Sequence, residues 1–95
     1  MLTRANYGLH LTGRIDAVTP VQHRQGTAKN GNPYSFFQQT ICISVGGEMF
    51  EVGYRADEDP KGPLANVELD EVVRIKVKNP RLYGGKISFD ADQAA

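Results

Sequence analysis

The sequence predicts a small all-β protein, and three observations support this fold class. Five short stretches alternate apolar and polar residues with the period of two that strands have. Glycine and proline interrupt the chain at short intervals, and no stretch repeats apolar residues at the spacing of an amphipathic helix. Five short strands within 95 residues are typical of a Greek-key barrel.

The first predicted strand covers residues 7–19 and the second covers residues 34–45. Gly13, inside the first strand, predicts a bulge or sharp coil of the kind found where a sheet closes on itself. Alternate residues of the second strand form a predicted core face, which consists of Phe37, Gln39, Ile41, Ile43 and Val45. Tyr34 and Phe36 therefore fall on the side away from the core.

Gly46-Gly47 is a hairpin signal that leads into a third strand, residues 48–55. In that strand Tyr54 is expected to face the core and Arg55 to point away from it. A loop with a short helical turn near 64–69 precedes the fourth strand at 72–78. A second loop at 79–85 precedes the fifth strand at 86–90, and the tail 91–95 is expected to fray.

Composition limits the way in which so small a chain is stabilised. The 95 residues form one predicted domain, 1–95, with a single cysteine, Cys42, and so without an internal disulfide. Cys42, His10 and His23 lack the spacing of zinc ligands, and no cofactor is predicted. Self-association is expected instead, because it would bury surface and cover an exposed sheet edge.

The formal net charge is zero, which argues against a protein that binds nucleic acid through overall charge alone. The charges are segregated, however. Acidic residues gather in 57–59 and 68–71, and basic residues gather around Arg24 with Lys29 and in 74–86. Such segregation can give a neutral molecule a basic groove.

The chain shows no apolar run of the length that a signal peptide or a membrane span needs, which predicts a cytoplasmic protein. Nothing in it resembles a nucleophile elbow, a phosphate-binding P-loop or a metal-binding helix motif. The acidic run 57–59 is better explained as a solvated loop than as a cation site. The chain is therefore predicted not to be an enzyme.

The best candidate site is the hairpin of residues 23–36. It combines the cations Arg24 and Lys29 with the outward rings Tyr34 and Phe36, separated by a turn rich in glycine and asparagine. Cations bind phosphate and flat rings stack on bases, so this combination suits an unpaired nucleic acid strand. The alternative is that the rings pack under the loop and the cations are ordinary solvated charges.

Four further residues are candidate nucleic-acid contacts. Arg55 points away from the core, and Tyr83 lies at a predicted loop tip between Arg81 and Lys86. The alternatives for Tyr83 are that its ring packs on a partner subunit or folds back onto its own barrel. A basic stripe at residues 74, 76 and 78 is better explained as the solvated side of a strand.

The order and spacing of several of these residues resemble those of a known family. They are Arg24, the run 31–35 (Gly-Asn-Pro-Tyr-Ser), Gln39, the Gly-Gly-Glu hairpin at 46–48, the valine-rich fourth strand, and Tyr83-Gly84. In these features the chain resembles the single-stranded DNA-binding, helix-destabilising proteins of filamentous bacteriophages, the gene V protein type. The resemblance runs from about Arg24 to about Phe89.

The resemblance implies a five-stranded OB-fold-like Greek-key barrel that forms a two-fold homodimer. Residues 23–36 would be the DNA-binding wing, with Arg24 and Lys29 as its cations, Tyr34 as a stacking ring and Phe36 as its apolar neighbour. Residues 79–85 would form a loop near the dimer axis. There Tyr83 would reach DNA on the partner subunit.

By the same resemblance, such dimers coat single-stranded DNA cooperatively during replication of a phage or replicon. The chain departs from the family at Cys42 and Met49, where tyrosines are usual, and at Tyr54, where a lysine is usual. The last strand lacks its usual basic residue, for which Lys86, Arg81 or the basic stripe would have to substitute.

Two other functions remain open at this point. The zero net charge and the missing tyrosines favour a protein-interaction module on the same barrel. A groove that holds single-stranded DNA would also suit RNA, as in a translational-control protein.

Overall fold

The computed structural model describes residues 8–92, apart from the side chain of Tyr83, and in this part of the chain it contains β-strands and no helix. The all-β prediction is therefore confirmed. The six strands are β1 (Leu9–Val18), β2 (Gln22–Thr27), β3 (Pro33–Val45), β4 (Glu48–Ala56), β5 (Val72–Tyr83) and β6 (Lys86–Ala91). Five correspond to the five predicted strands of the barrel, and β2 is the first arm of the predicted 23–36 hairpin.

The strands form one sheet in the order β1-β5-β6-β4-β3-β2, and β1 also pairs with β3. This extra pairing closes β1, β5, β6, β4 and β3 into a barrel-like ring. All pairings are antiparallel except that between β4 and β6. Strand β2 pairs with β3 outside the ring, so the β2–β3 hairpin is an extension of it.

The ring closes through β1, which changes partner along its length. Residues 9–14 pair with β5, and residues 14–18 pair with β3. At Gly13 a Cβ atom would lie 2.1 Å from the carbonyl oxygen of Ser44, so only glycine fits this approach. The predicted bulge is found two residues later, between Ile15 and Ala17, rather than at Gly13.

The core lies inside the ring and follows the predicted alternation. Its completely buried members are Ile15, Ile41, Ile43, Val52 and Val77. Tyr54 faces inward and packs against this cluster, as predicted. Phe37 does not join the core, contrary to the prediction, because its part of β3 extends beyond the ring and pairs with β2.

Gln39 is the buried polar residue of the core, and its amide group makes three hydrogen bonds. Its Nε2 donates to the carbonyl oxygen of Thr19 at 2.9 Å, and its Oε1 accepts from the backbone nitrogens of Leu64 and Ala65 at 2.7 and 2.9 Å. A buried amide needs such partners. Gln39 therefore ties the β1–β2 connection and the long β4–β5 connection to the middle of β3.

Three predicted boundaries are corrected by the structure. No helical turn forms at 64–69. Strand β5 continues through most of the predicted loop 79–85, with a bulge between Lys78 and Arg81 that accommodates Pro80, which cannot donate a backbone hydrogen bond. The tail does not fray at 91–92, because Ala91 is buried and the Asp92 amide donates to the Lys76 carbonyl at 2.9 Å; residues 93–95 lie outside the described part.

A search of residues 8–92 for a helix that is long and apolar enough to cross a membrane finds none.

The close approach at Gly13 can be tested by substitution. We expect Gly13→Ala to lower the free energy of unfolding by about 2 kcal/mol, because the new methyl group forces β1 away from β3. Gly62→Ala is the matched control, since a Cβ atom there meets nothing within 4 Å. Urea unfolding of both variants gives the comparison, and equal stability of the two would contradict the proposed role of Gly13.

Candidate nucleic-acid interface

The β2–β3 hairpin, residues 22–38, projects from the ring and is called the wing from here on. All six residues of β2 are exposed, and the longest dimension of the molecule is 52 Å against 30 and 29 Å for the other two. At the tip of the wing, the Ala28 amide donates to the Asn32 carbonyl at 2.8 Å, and Gly31 takes a positive φ of 86°. Lys29 lies in this turn and is exposed.

The pairing of β2 with β3 determines which side chains share a face of the wing. Arg24 lies opposite Phe36, and Gly26 lies opposite Tyr34. Residues directly opposite each other in antiparallel strands project to the same side. Arg24, Tyr34 and Phe36 therefore share one face, of which the alternation had predicted the two rings.

Neither aromatic ring of this face belongs to the buried core, and Phe36 is covered in part by Arg55. Tyr34 is 43% exposed, and its ring centroid lies 6.0 Å from that of the half-buried Phe36 at an angle of 31°. The guanidinium carbon of Arg55 lies 4.0 Å from the centroid of Phe36, within cation–π range. Four predicted site residues, Arg24, Tyr34, Phe36 and Arg55, thus form one surface, which we call the ring platform.

Gly26 allows the Tyr34 ring to lie across β2. A Cβ atom on Gly26 would come within 2.7 Å of the Tyr34 hydroxyl oxygen and 3.0 Å of the ring carbon that bears it. The glycine therefore provides the space in which the tyrosine rests against the wing. A side chain here would lift the ring from its present position.

The cations of the wing and platform have no acidic partner among residues 8–92. Arg24 donates to the neutral Gln22 Oε1 at 2.9 Å, and Arg55 covers Phe36. Neither of them, nor Lys29, takes part in an ion pair in the described part of the chain. Their charges are available to an incoming anion.

A groove of about 800 Å³ continues from the ring platform across the outer side of the sheet. It begins at Phe36 and Gln38, crosses Gly53 of β4 and ends at residues 78, 79 and 81 of β5. Gly53 pairs with Thr40 on one side and with Asp90 on the other, so the floor of the groove carries no side chain between these two residues. The groove is therefore open to a flat group that lies against the sheet.

The far side of the groove is balanced in charge. Arg81 forms an ion pair with Asp90, and Asn79 Nδ2 donates to the same carboxylate at 3.0 Å. Lys86 lies 4.0 Å from the Glu51 carboxylate. Of the predicted contacts, Arg81 thus lies across the groove from the platform, whereas Lys86 does not line the groove; each has an acidic neighbour.

Partial burial favours a higher pKa for Asp90, but its partners outweigh that effect. The hydrogen bond from Asn79, the bond and charge of Arg81 and the charge of Lys78 together hold the pKa of Asp90 below its ordinary value of 3.8. Asp90 is therefore ionised at neutral pH.

Lys78 is a groove residue that the sequence placed only in the basic stripe, not among the candidate site residues. It belongs to the basic stripe, whose other members Arg74 and Lys76 pair with Thr12 and His10 of β1, away from the groove. Lys78 instead lies opposite Asp90 and lines the groove. Sequence alone gives no signal for this, because it depends on the register between β5 and β6.

Two positions at which the chain lacks the tyrosines of the resembled family lie on the outer side of the sheet. Cys42 is half-buried opposite Glu51, and Met49 is exposed opposite Ser44. Burial, with a smaller effect from Glu51, raises the pKa of the Cys42 thiol. Burial likewise raises the pKa of Tyr54, which points inward.

The reverse face of the wing carries a second ring pair that the sequence reasoning missed. His23 stacks on Phe37 with centroids 4.4 Å apart and planes 9° from parallel. His23 Nε2 also shares a hydrogen bond with Ser35 Oγ at 2.7 Å. The sequence held a signal for this pair, because alternation along the hairpin places residues 23, 35 and 37 on the face opposite that of Tyr34.

The remaining predicted site residue is Tyr83, whose backbone pairs with Lys86 but whose side chain lies outside the described part. Among residues 8–92, no three side chains of His, Cys, Asp or Glu lie close enough together to hold a metal ion.

Comparison with known proteins adds no relative. No family model matches the sequence, and it matches neither a curated protein nor a solved structure.

Proposed function

We propose that this protein binds single-stranded DNA with little sequence preference and coats it cooperatively during replication of a phage or replicon. The observation that carries the proposal is the ring platform, where an exposed tyrosine and a half-buried phenylalanine lie beside two arginines that have no acidic partner among residues 8–92. It is a binding role, and it assigns no catalytic residue.

In the proposed complex, bases stack on Tyr34 and Phe36. A ring that stacks on a base contributes about 1–3 kcal/mol, and it tolerates any base because every base has a flat face. Unpaired bases fit this mode best, since the bases of a duplex are already stacked on each other. The exposed fraction of Tyr34, 43%, leaves one side of the ring for such a contact.

Phosphates of the bound strand are placed along Arg24, Arg55 and Lys78, which run from the wing into the groove. Lys29 at the tip of the wing and Arg81 and Lys86 on the far side are the outer contacts. The zero net charge does not oppose this arrangement, because binding depends on local cations that are not already paired.

We further propose that the closed ring of strands and the wing together form an OB-fold-like barrel of the gene V protein type. This barrel would act as a two-fold homodimer in the bacterial cytoplasm. A closed ring of five strands with an attached hairpin supports the barrel. For the dimer, support comes from Leu82 and Ile87, which pair across β5 and β6 and are 76% and 42% exposed. In such a dimer Tyr83 would contact DNA held by the partner subunit.

DNA binding is tested by titrating poly(dT) at several salt concentrations. We expect the logarithm of affinity to fall with the logarithm of salt by about 0.7 for each phosphate neutralised. Arg24→Ala should weaken binding and reduce this slope by about 0.7, whereas Arg74→Ala removes the same charge outside the groove and should change little.

Tyr34→Ala should cost about 1–3 kcal/mol of binding free energy.

A flat salt response, or equal effects of Arg24→Ala and Arg74→Ala, would overturn the proposal. Competition with an RNA oligomer of matched sequence distinguishes a DNA-binding role from an RNA-binding one. If the protein binds no oligonucleotide at all, the protein-interaction alternative is favoured instead.

The dimer is tested by sedimentation equilibrium. We expect the wild-type protein to sediment as a dimer and Leu82→Glu to sediment as a monomer, because a buried charge without a partner opposes association. Leu69→Glu is the control, since Leu69 is an exposed apolar residue of the β4–β5 connection. A monomeric wild-type protein would contradict this part of the proposal.

A further inference from the structure

At the far end of the groove, the Asp90 carboxylate is already bound by Arg81 and by Asn79. We infer that the Asp90 carboxylate competes with DNA phosphate for Arg81 and so limits the affinity of the groove. The inference rests on the proposed function, because it concerns the same groove.

The geometry of the ion pair resembles that of an arginine bound to phosphate. Arg81 directs Nη2 to Asp90 Oδ1 and Nη1 to Asp90 Oδ2, the second contact being 3.4 Å long. Guanidinium binds carboxylate and phosphate through the same pair of parallel N–H groups. A phosphate can therefore replace the carboxylate without any change in the donors that Arg81 offers.

The ion pair is exposed enough for a phosphate to take the place of the Asp90 carboxylate on Arg81. The Arg81 side chain is 57% exposed and the Asp90 side chain is 35% exposed. Ion pairs with this exposure contribute little to folding, so a ligand can displace one partner at small cost. Asn79 holds Asp90 in place at 3.0 Å, which keeps the carboxylate within the groove when Arg81 turns away.

Two regions of the groove then differ in their response to a strand. On the platform side Arg24 and Arg55 have no acidic partner in residues 8–92 and meet phosphate directly. On the far side a DNA strand must displace the Asp90 carboxylate from Arg81, and its phosphates then lie close to that negative charge. Asp90 thus reduces the number of phosphates that the groove neutralises.

The test is the affinity of Asp90→Asn for a dT oligomer at several salt concentrations. Asparagine keeps the shape and an acceptor for Asn79 but removes the charge. We expect binding to tighten by up to about fivefold, the factor that corresponds to a favourable exposed ion pair. The salt slope should become steeper by about 0.7, because one more phosphate is neutralised.

Asp92→Asn is the matched control. It removes the same charge from the neighbouring pair with Lys76, whose atoms are 3.6 Å apart and which does not line the groove. A gain of the same size in this variant would mean that overall charge, and not release of Arg81, is responsible, and the inference would fail.

The role of Arg81 is isolated by repeating the substitution in an Arg81→Gln background. The gain from Asp90→Asn should disappear there, and its persistence would overturn the inference. Asp90→Ser, which removes the carboxylate by a different side chain, should give a gain of the same sign. Thermal unfolding followed by circular dichroism establishes that each variant is folded.

The outcomes separate this inference from the function on which it rests. If the wild-type protein binds the oligomer and Asp90→Asn binds no more tightly, the inference alone is wrong. If the wild-type protein does not bind the oligomer, the proposed function is wrong, and the inference falls with it.

Discussion

The alternation of side chains along β3 is the constraint on which the core and the candidate site both depend. This strand has thirteen residues, and its inner face supplies Ile41 and Ile43 to the core while its outer face supplies Tyr34 and Phe36 to the platform. A shift by one residue would expose the isoleucines and move the two aromatic rings to the reverse face of the wing. Gln39 opposes such a shift, because its three hydrogen bonds hold the middle of the strand to two separate connections.

The barrel-like ring of strands uses only half of β3 for its closure. The other half of β3 is left available for the proposed binding of DNA. Strand β1 pairs with residues 41–44, and the residues before Gln39 extend away from this pairing, with β2 as their partner and with the end of β4 also paired to Phe37 and Gln38. That extension has little core of its own. Its order comes from pairs across the hairpin, above all His23 with Phe37, and from Arg55 of β4, which reaches Phe36. A surface that is ordered and yet exposed is what stacking on unpaired bases requires.

Much of this could be predicted from the sequence, because it depends on local alternation. The strand faces, the outward rings and their neighbouring cations follow from a period of two and from the turn at Gly31. What could not be predicted depends on register between strands that are distant in sequence. The bulge around Pro80 prolongs β5, and the pairing of β5 with β6 brings Lys78 and Arg81 to Asp90. The assignment of Phe37 to the core is wrong because alternation shows which face of the strand a residue occupies but not where the closed ring of strands ends.

The central claim, that Tyr34 and Phe36 receive unpaired bases, is tested most directly by photocross-linking. A dT oligomer in which one thymine is replaced by 5-iodouracil would be irradiated in complex with the protein, and the modified residue identified by mass spectrometry. The account predicts adducts on Tyr34 or Phe36. Adducts confined to the reverse face of the wing, at His23 or Phe37, or to rings outside the wing would contradict it.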